Sequence, residues 1–241
     1  MPMTEVVYGL RACLALFDVR RGDIERVSFS REARRDTEPL LQWAKEHRVA
    51  AREGKDEDLA RLAKSHNHEG IILETKPRKF VAQGDLAEIL VRRKGVAIAL
   101  DRVRNPYNVG AILRSAAFFG VDAAILGAPA PHPALPPDAV RVAEGGAERL
   151  ALARTTDLAE TLGRLRERNV SIVGADSHAK DDVRVFTFAR PVVVVVGHER
   201  EGLGQRIRQK CDAFVAIRGA NDGAVESLNV AVATGILLSR I

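Results

Sequence analysis

The sequence predicts an α/β protein of two units, a small α/β domain followed by a larger domain built on a parallel sheet. Three observations carry this. Aromatic residues are only 5% of the 241 residues while apolar residues are 46%, a balance that suits close-packed helices on sheets better than an aromatic-rich sandwich. Short strand-like runs alternate with helical segments along the whole chain. In the last 60% of the chain these runs (VAIAL, AAIL, VSIVGAD, VVVVV and AFVAI) are continuous β-branched and apolar stretches, as parallel strands covered on both faces require.

The first unit is expected over residues 1–78. There VYGLRACLALF is helical by spacing, IERVSFS is a strand, and TEPLLQWAKEH is a helix with Thr37 as its capping residue. VAAREG follows as a strand, DEDLARLAKS as a short helix with acids in its first turn, and GIILETK as a strand. The composition then turns polar and basic in KPRKFVAQGDLAEILVRRK, so a linker is expected over residues 79–94 and the parallel-sheet domain over 95–241. The proline-rich stretch APAPHPALPPD ends one strand of that domain and cannot continue as helix.

A net charge of +5 makes polyanions better partners than acidic proteins. The two cysteines, Cys13 and Cys211, show no CxxC or Cys/His spacing, so neither a zinc site nor a disulfide framework is implied. The first residues, MPMTEVVYGLRACLALF, carry an acid where a secretory signal needs positive charge, and the longest apolar runs are too short to span a bilayer. The expectation is a reduced, cytoplasmic protein with no membrane partner and no metal.

Three segments could carry chemistry. In RNPYNVGAILRSAAFFG, Val109, Ile112, Leu113 and Ala116 form one apolar stripe, while Ala111, Ala117 and Phe118 make the other side apolar too. Such a helix would be covered on nearly all sides, leaving Arg114 as a guanidinium on a largely buried element. It could be a structural ion pair or a clamp for phosphate or substrate. Asn105, Asn108 and Gly110 lie at the preceding strand-to-helix turn, at the edge where open α/β sheets bind ligands, although turn and cap chemistry explains such residues equally well.

The second segment, VVVVVGHEREGLG, empties a buried strand into a loop holding Gly197, Glu199, Gly202 and Gly204, without a dinucleotide or phosphate-loop fingerprint. His198 in this loop reads as solvent-facing rather than as a base. In the third, IRGANDGAVESLNVAVATGILLSRI, Ser227 is the natural N-cap of a C-terminal apolar helix. Asn229 would then sit in the first turn, where asparagine is neutral at best.

In this order and spacing the segments resemble the three signature motifs of the SpoU/TrmH branch of the SPOUT methyltransferases. NPYNVGAILRSAAFFG aligns Asn108, Gly110 and Arg114. VVVGHEREGL aligns Gly197, Glu199 and Gly202, and SLNVAVATGILL aligns Ser227, Leu228 and Asn229. The first third also resembles the small ribosomal-protein-like RNA-binding domain of the rRNA-modifying members. Three departures stand out: His198 replaces a neutral amide, RGANDGAVESLN lacks the usual proline, and VRVAEGGAERL replaces an alanine-rich loop.

The resemblance implies a deep trefoil knot, an obligate homodimer and S-adenosyl-L-methionine as cofactor. It places Gly197, Ile217, Leu228, Asn229, Glu199 and Gly202 around that cofactor, and Arg114, Ser227, Asn229, Asn108 and Glu199 at the reacting ribose, with Arg114 reaching the ribose of its own or the partner subunit's site. It implies methyl transfer to a ribose 2′-hydroxyl of structured RNA, rRNA favoured over tRNA because of the extra N-terminal domain. The alternatives left open are a non-catalytic dimeric RNA-binding protein of the same fold, a tRNA ribose methyltransferase, and methylation of a base.

Overall fold

The computed structural model describes residues 4–127, 135–220 and 227–241. Most of the proline-rich stretch and the altered loop just before Ser227 therefore lie outside the described residues. Two compact units divide the chain: Met1–Lys79 with Leu135–Arg149, and Phe80–Ala134 with Leu150–Ile241.

The first unit carries a four-stranded sheet made of β1 (Glu5–Tyr8), β2 (Ile24–Phe29), β3 (Ala50–Glu53) and β4 (Ile71–Thr75), in the order β1-β4-β2-β3. Its helices are α1 (Leu10–Arg20), α2 (Glu38–Glu46) and α3 (Asp56–Ala63). The helix expected over VYGLRACLALF is two elements. Val6, Val7 and Tyr8, β-branched and aromatic, pair with β4, and Gly9 makes the turn into α1 at a φ of 92°, which glycine adopts without steric cost. Thr37 does precede α2, but its hydroxyl donates backwards to the Ala33 carbonyl at 2.8 Å and takes no part in capping. Pro39 lies in the first turn and has no N–H, so one of the donors that a capping oxygen would satisfy is absent.

Residues 135–149, expected within the second domain, pack in this first unit as α6 (Pro137–Val142) and α7 (Gly146–Arg149) against β1 and α1. A closed ring of four charges holds them. Glu148 accepts from Arg20 Nε at 2.8 Å and from Arg78 Nη2 at 3.0 Å. Glu5 accepts from Arg78 Nε at 2.7 Å and from Arg20 Nη2 at 3.1 Å. Alternating signs leave no buried charge unpaired, the condition on which such burial is tolerated. Tyr8 donates to Asp138 Oδ1 at 2.7 Å, and burial, reinforced by that carboxylate, pushes the phenol up to about 12.

The second unit begins with α4 (Gln83–Arg93), within the segment expected as a linker; its Leu86, Ala87 and Leu90 are buried in the unit's core. The polar and basic residues that suggested a linker are the exposed side of an amphipathic helix. There follow β5 (Val96–Asp101), α5 (Pro106–Phe118), β6 (Ala123–Gly127), β7 (Ala151–Arg154), α8 (Leu158–Glu167) and β8 (Ser171–Ala175). The last elements are β9 (Asp181–Asp182), β10 (Val192–Val196), α9 (Gln205–Arg208), β11 (Ala213–Ala216) and α10 (Val230–Leu238). The seven strands lie in the order β7-β6-β5-β10-β8-β11-β9 and every pairing is parallel.

The five expected runs all form strands of this sheet. All five valines of β10 are buried, as a central strand covered on both faces requires. From β5 the chain steps outward through β6 to β7, and it later returns to place β10 on the other flank of β5. The carboxyl ends of β5 and β10 are therefore a topological switch point, the place where open α/β sheets open a crevice for ligand. Among the described residues no helix is long and apolar enough to cross a membrane.

Candidate active site

Two of the three segments leave the sheet from adjacent strands at this switch point. Asn105 caps α5, its side chain accepting the Tyr107 N–H at 2.9 Å, and Pro106 occupies the first helical position, where its missing N–H costs nothing. Asn108 follows in the first turn. From β10 the chain doubles back at once: His198 and Gly202 exchange backbone hydrogen bonds of 3.2 and 2.9 Å. Gly197 underlies this fold-back. A Cβ there would lie 2.5 Å from the carbonyl carbon and oxygen of Gly202, so any side chain would force the loop open.

The third segment corrects an expectation. The helix α10 starts at Val230 and its cap is Asn229, whose Oδ1 accepts the N–H groups of Ala231 at 2.9 Å and Val232 at 3.4 Å. Ser227 lies outside the helix and is exposed. Asparagine and serine cap about equally well, so sequence preference alone does not choose between them. The cap commits Asn229 Oδ1 to the helix, which leaves Asn229 Nδ2 to donate to Asn108 Oδ1 at 3.1 Å. Asn108 Nδ2 in turn donates to Glu199 Oε1 at 2.5 Å. One hydrogen-bonded chain thus joins the three segments, and it gives Asn229 the role that a first-turn position left unexplained.

Gly110 is buried within α5. Ile217 is half-buried just beyond β11, and Leu228 is exposed beside Asn229. Arg114 departs from expectation: α5 buries Val109, Ile112, Leu113 and Ala116 on one side only, and Arg114 is exposed with Phe118, the latter 83% accessible. Apolar residues on both sides of a helix show that it needs cover, but not that the same chain supplies it. His198 also differs from expectation. It is half-buried, and its Nδ1 accepts the N–H groups of Arg200 and Glu201, both at 3.3 Å, so the ring caps the turn from inside.

Two residues absent from the sequence expectations hold the loop from outside. Asp101, buried at the end of β5, accepts the Gly204 N–H at 2.8 Å, and Arg102 donates to the Gly202 carbonyl at 3.0 Å. The available signal was an acid closing an otherwise apolar strand, since a buried carboxylate needs donors. An open cleft of about 1040 Å³ lies in the first unit around Ser30, Arg52 and Gly70, and none of the three segments lines it.

The parallel sheet thus gathers at its switch point the three segments that resemble the motifs of the SPOUT-type RNA methyltransferases. Residues 95–239 match the SpoU rRNA methylase family and residues 6–81 match the RNA 2′-O ribose methyltransferase substrate-binding family; the chain belongs to the SpoU rRNA methylase family. The 23S rRNA (guanosine-2′-O-)-methyltransferase RlmB of Photorhabdus laumondii is 35% identical over 240 residues, covering 98% of this chain and 96% of that protein. Among solved structures, the SpoU methyltransferase AviRb from Streptomyces viridochromogenes in complex with AdoMet matches with a TM-score of 0.80 at 25% identity, covering 98% of this chain and 88% of the other. A TrmH/SpoU tRNA modifying enzyme from A. aeolicus matches with a TM-score of 0.55 at 25% identity, covering 66% of this chain and 79% of the other.

Proposed function

We propose that this methyltransferase acts in the cytoplasm as a homodimer and transfers a methyl group to the 2′-hydroxyl of a guanosine in 23S rRNA. The relatives that match nearly the full chain carry that activity in their names. The observation that carries the assignment of the site is the Glu199–Asn108–Asn229 chain, because it ties all three motifs at the sheet edge where a ligand belongs. A substrate-binding unit matching residues 6–81 favours rRNA over tRNA, since the tRNA enzyme matches only two thirds of the chain.

The residues present fit the cofactor. At Gly197 the Gly202 backbone already takes the place of a Cβ, so the fold-back presents peptide groups rather than a side chain there, Leu228 offers an exposed apolar surface, and Glu199 supplies an exposed carboxylate that would suit a cationic group. When bound, S-adenosylmethionine supplies a methyl group on a sulfonium, a good leaving group for in-line attack by an oxygen. The chain's own task is then mainly alignment. The backbone around Gly197, Gly202, Ile217 and Leu228 would hold the cofactor. Asn108 and Glu199 fix the relative positions of loop and helix, Asn229 anchors α10 to them, and Ser227 orients the ribose. Arg114 holds the ribose or its phosphate and lowers the cost of alkoxide character at the 2′-oxygen. A guanidinium has no acceptor and is not deprotonated in proteins, so its role is electrostatic rather than that of a base.

The dimer rests on the outer faces of α5 and α10. The helix α10, VAVATGILL, is apolar all round, yet Val232 is 52% exposed, and on α5 Tyr107 and Phe118 are 48% and 83% exposed. Helices of that composition belong under cover, and a second copy provides it. The trefoil knot implied by the family is part of the same reading.

The test is transfer from labelled S-adenosylmethionine to 23S rRNA isolated from cells lacking the enzyme, with nuclease digestion and mass spectrometry of the product. The expected product is 2′-O-methylguanosine, lost in Arg114→Ala while cofactor binding persists. A methylated base, or wild-type turnover in Arg114→Ala, would refute the respective assignment.

A further inference from the structure

Arg102 stands at a backbone angle that arginine seldom adopts, a φ of 60° in the left-handed region. A side chain is kept in that region only where its surroundings over-determine it, and here they do. The Nε atom lies 3.3 and 3.4 Å from the two oxygens of Asp101. Nη2 donates to the Gly202 carbonyl at 3.0 Å and Nη1 to the Glu201 carboxylate. Asp101 completes the clasp by accepting the Gly204 N–H at 2.8 Å. Residues Glu201, Gly202 and Gly204 are thus all fastened to the last turn of chain leaving β5, while His198 caps the same loop from within. Between these two anchors projects Glu199, which the Asn108 amide engages.

We propose that Arg102, braced by Asp101, is a positioning residue that sets the backbone of the loop 197–204 for the adenosine-bearing cofactor; this rests on the reading of that loop as part of the cofactor site. Arg102 need not touch the cofactor. It acts by removing the freedom of a glycine-bracketed loop before binding, so that ordering is not charged against cofactor affinity.

Glycine tolerates the left-handed region, so Arg102→Gly removes the arginine's bonds to Glu201 and Gly202 without adding backbone strain, while Asp101 keeps the Gly204 N–H. The expected result is a rise of about tenfold in KM for S-adenosylmethionine, the equivalent of one or two net hydrogen bonds. At saturating cofactor kcat stays near the wild-type value, and the KM for RNA is unchanged. Arg102→Ala loses the same contacts and keeps the left-handed strain that glycine relieves, so it shows the same KM but melts about 2–4 °C below Arg102→Gly. Arg102→Lys, which keeps one donor, recovers part of the cofactor affinity. A wild-type cofactor KM in Arg102→Gly, or an equal rise in the KM for RNA, would overturn the positioning role. Calorimetric titration of the wild-type protein separates the two layers: if it does not bind S-adenosylmethionine, the loop assignment falls and the proposal with it, whereas normal wild-type binding with an unaffected Arg102→Gly removes the positioning role alone.

Discussion

Replacing Asn108 by alanine cuts the link between the three motifs at its centre while leaving both ends in place. The Asn229 cap survives, because its Oδ1 is bonded to the α10 backbone and not to Asn108. What is lost is one neutral hydrogen bond at 3.1 Å and one to a carboxylate at 2.5 Å. Net values are about 0.5–1.5 kcal/mol for the first kind and about 1.5–3 kcal/mol for the second. Both groups are exposed, so the low end of each applies, for a total of about 2 kcal/mol. If the link acts by holding the motifs in register, that energy leaves the transition state, and kcat/KM for methyl transfer falls about 30-fold. The same bonds hold the folded state, so the melting temperature falls as well, by about 4–8 °C. Initial rates with labelled S-adenosylmethionine, both substrates below saturation, measure this directly. A cycle with Glu199→Ala isolates the mechanism: the double variant should lose less than the sum of the singles, with a coupling of about 1.5 kcal/mol. Strict additivity, or a wild-type kcat/KM in Asn108→Ala, would refute the argument that these residues work as a connected chain.

Three further outcomes follow from the structure. Glu148 is 3% exposed between Arg20 and Arg78, so Glu148→Ala leaves both guanidiniums sharing Glu5 as their ring partner and should destabilise the first unit by roughly 1.5–3 kcal/mol; the single tryptophan, Trp43, reports this in urea unfolding, and a loss below about 1 kcal/mol would contradict the ring. The Arg184 guanidinium, by its hydrogen bonds, lowers the Asp182 carboxyl from 3.8 to about 2. A depressed carboxyl stabilises the fold above its unfolded value and loses that contribution as pH falls toward 2, so the stability gap between wild type and Asp182→Asn should close over that interval, and a gap independent of pH would be inconsistent with the pair. Burial pushes the Cys211 thiol up to about 12 and raises Cys13 as well. Both should resist a thiol reagent at pH 8 until the protein is unfolded, and rapid stoichiometric labelling of the native protein would show the thiols to be accessible.

Some of this was legible because local sequence carries it. Central parallel strands bury both faces, so VAIAL and VVVVV could be little other than what they are. Gly197 and Gly202 are readable as loop residues because glycine marks turns: a Cβ at Gly197 would strike the Gly202 backbone, and the φ of 64° at Gly202 favours glycine. The three motifs stood out by residue type and order, and the family followed from them. Other features depend on partners far away in sequence. The choice of Asn229 over Ser227 as cap is made where α10 begins, and α10 packs on α5 more than one hundred residues earlier. The basic stretch before β5 is a helix because Leu86 and Leu90 find a core to enter, which polarity alone conceals. Residues 135–149 join the first unit through Glu148, Arg20 and Arg78, a ring that closes between segments no local window contains. The same holds for Asp101 and Arg102, ordinary in the sequence and placed against a loop one hundred residues on. Periodicity and spacing report the chemistry of a segment with its own neighbours, which determined the strands of the sheet and the three polar segments, and the resemblance of those segments to known motifs supplied the family. Only the tertiary structure decided which side chains meet across the fold, because hydrogen bonds and ion pairs act over a few ångströms of space, whatever the distance along the chain.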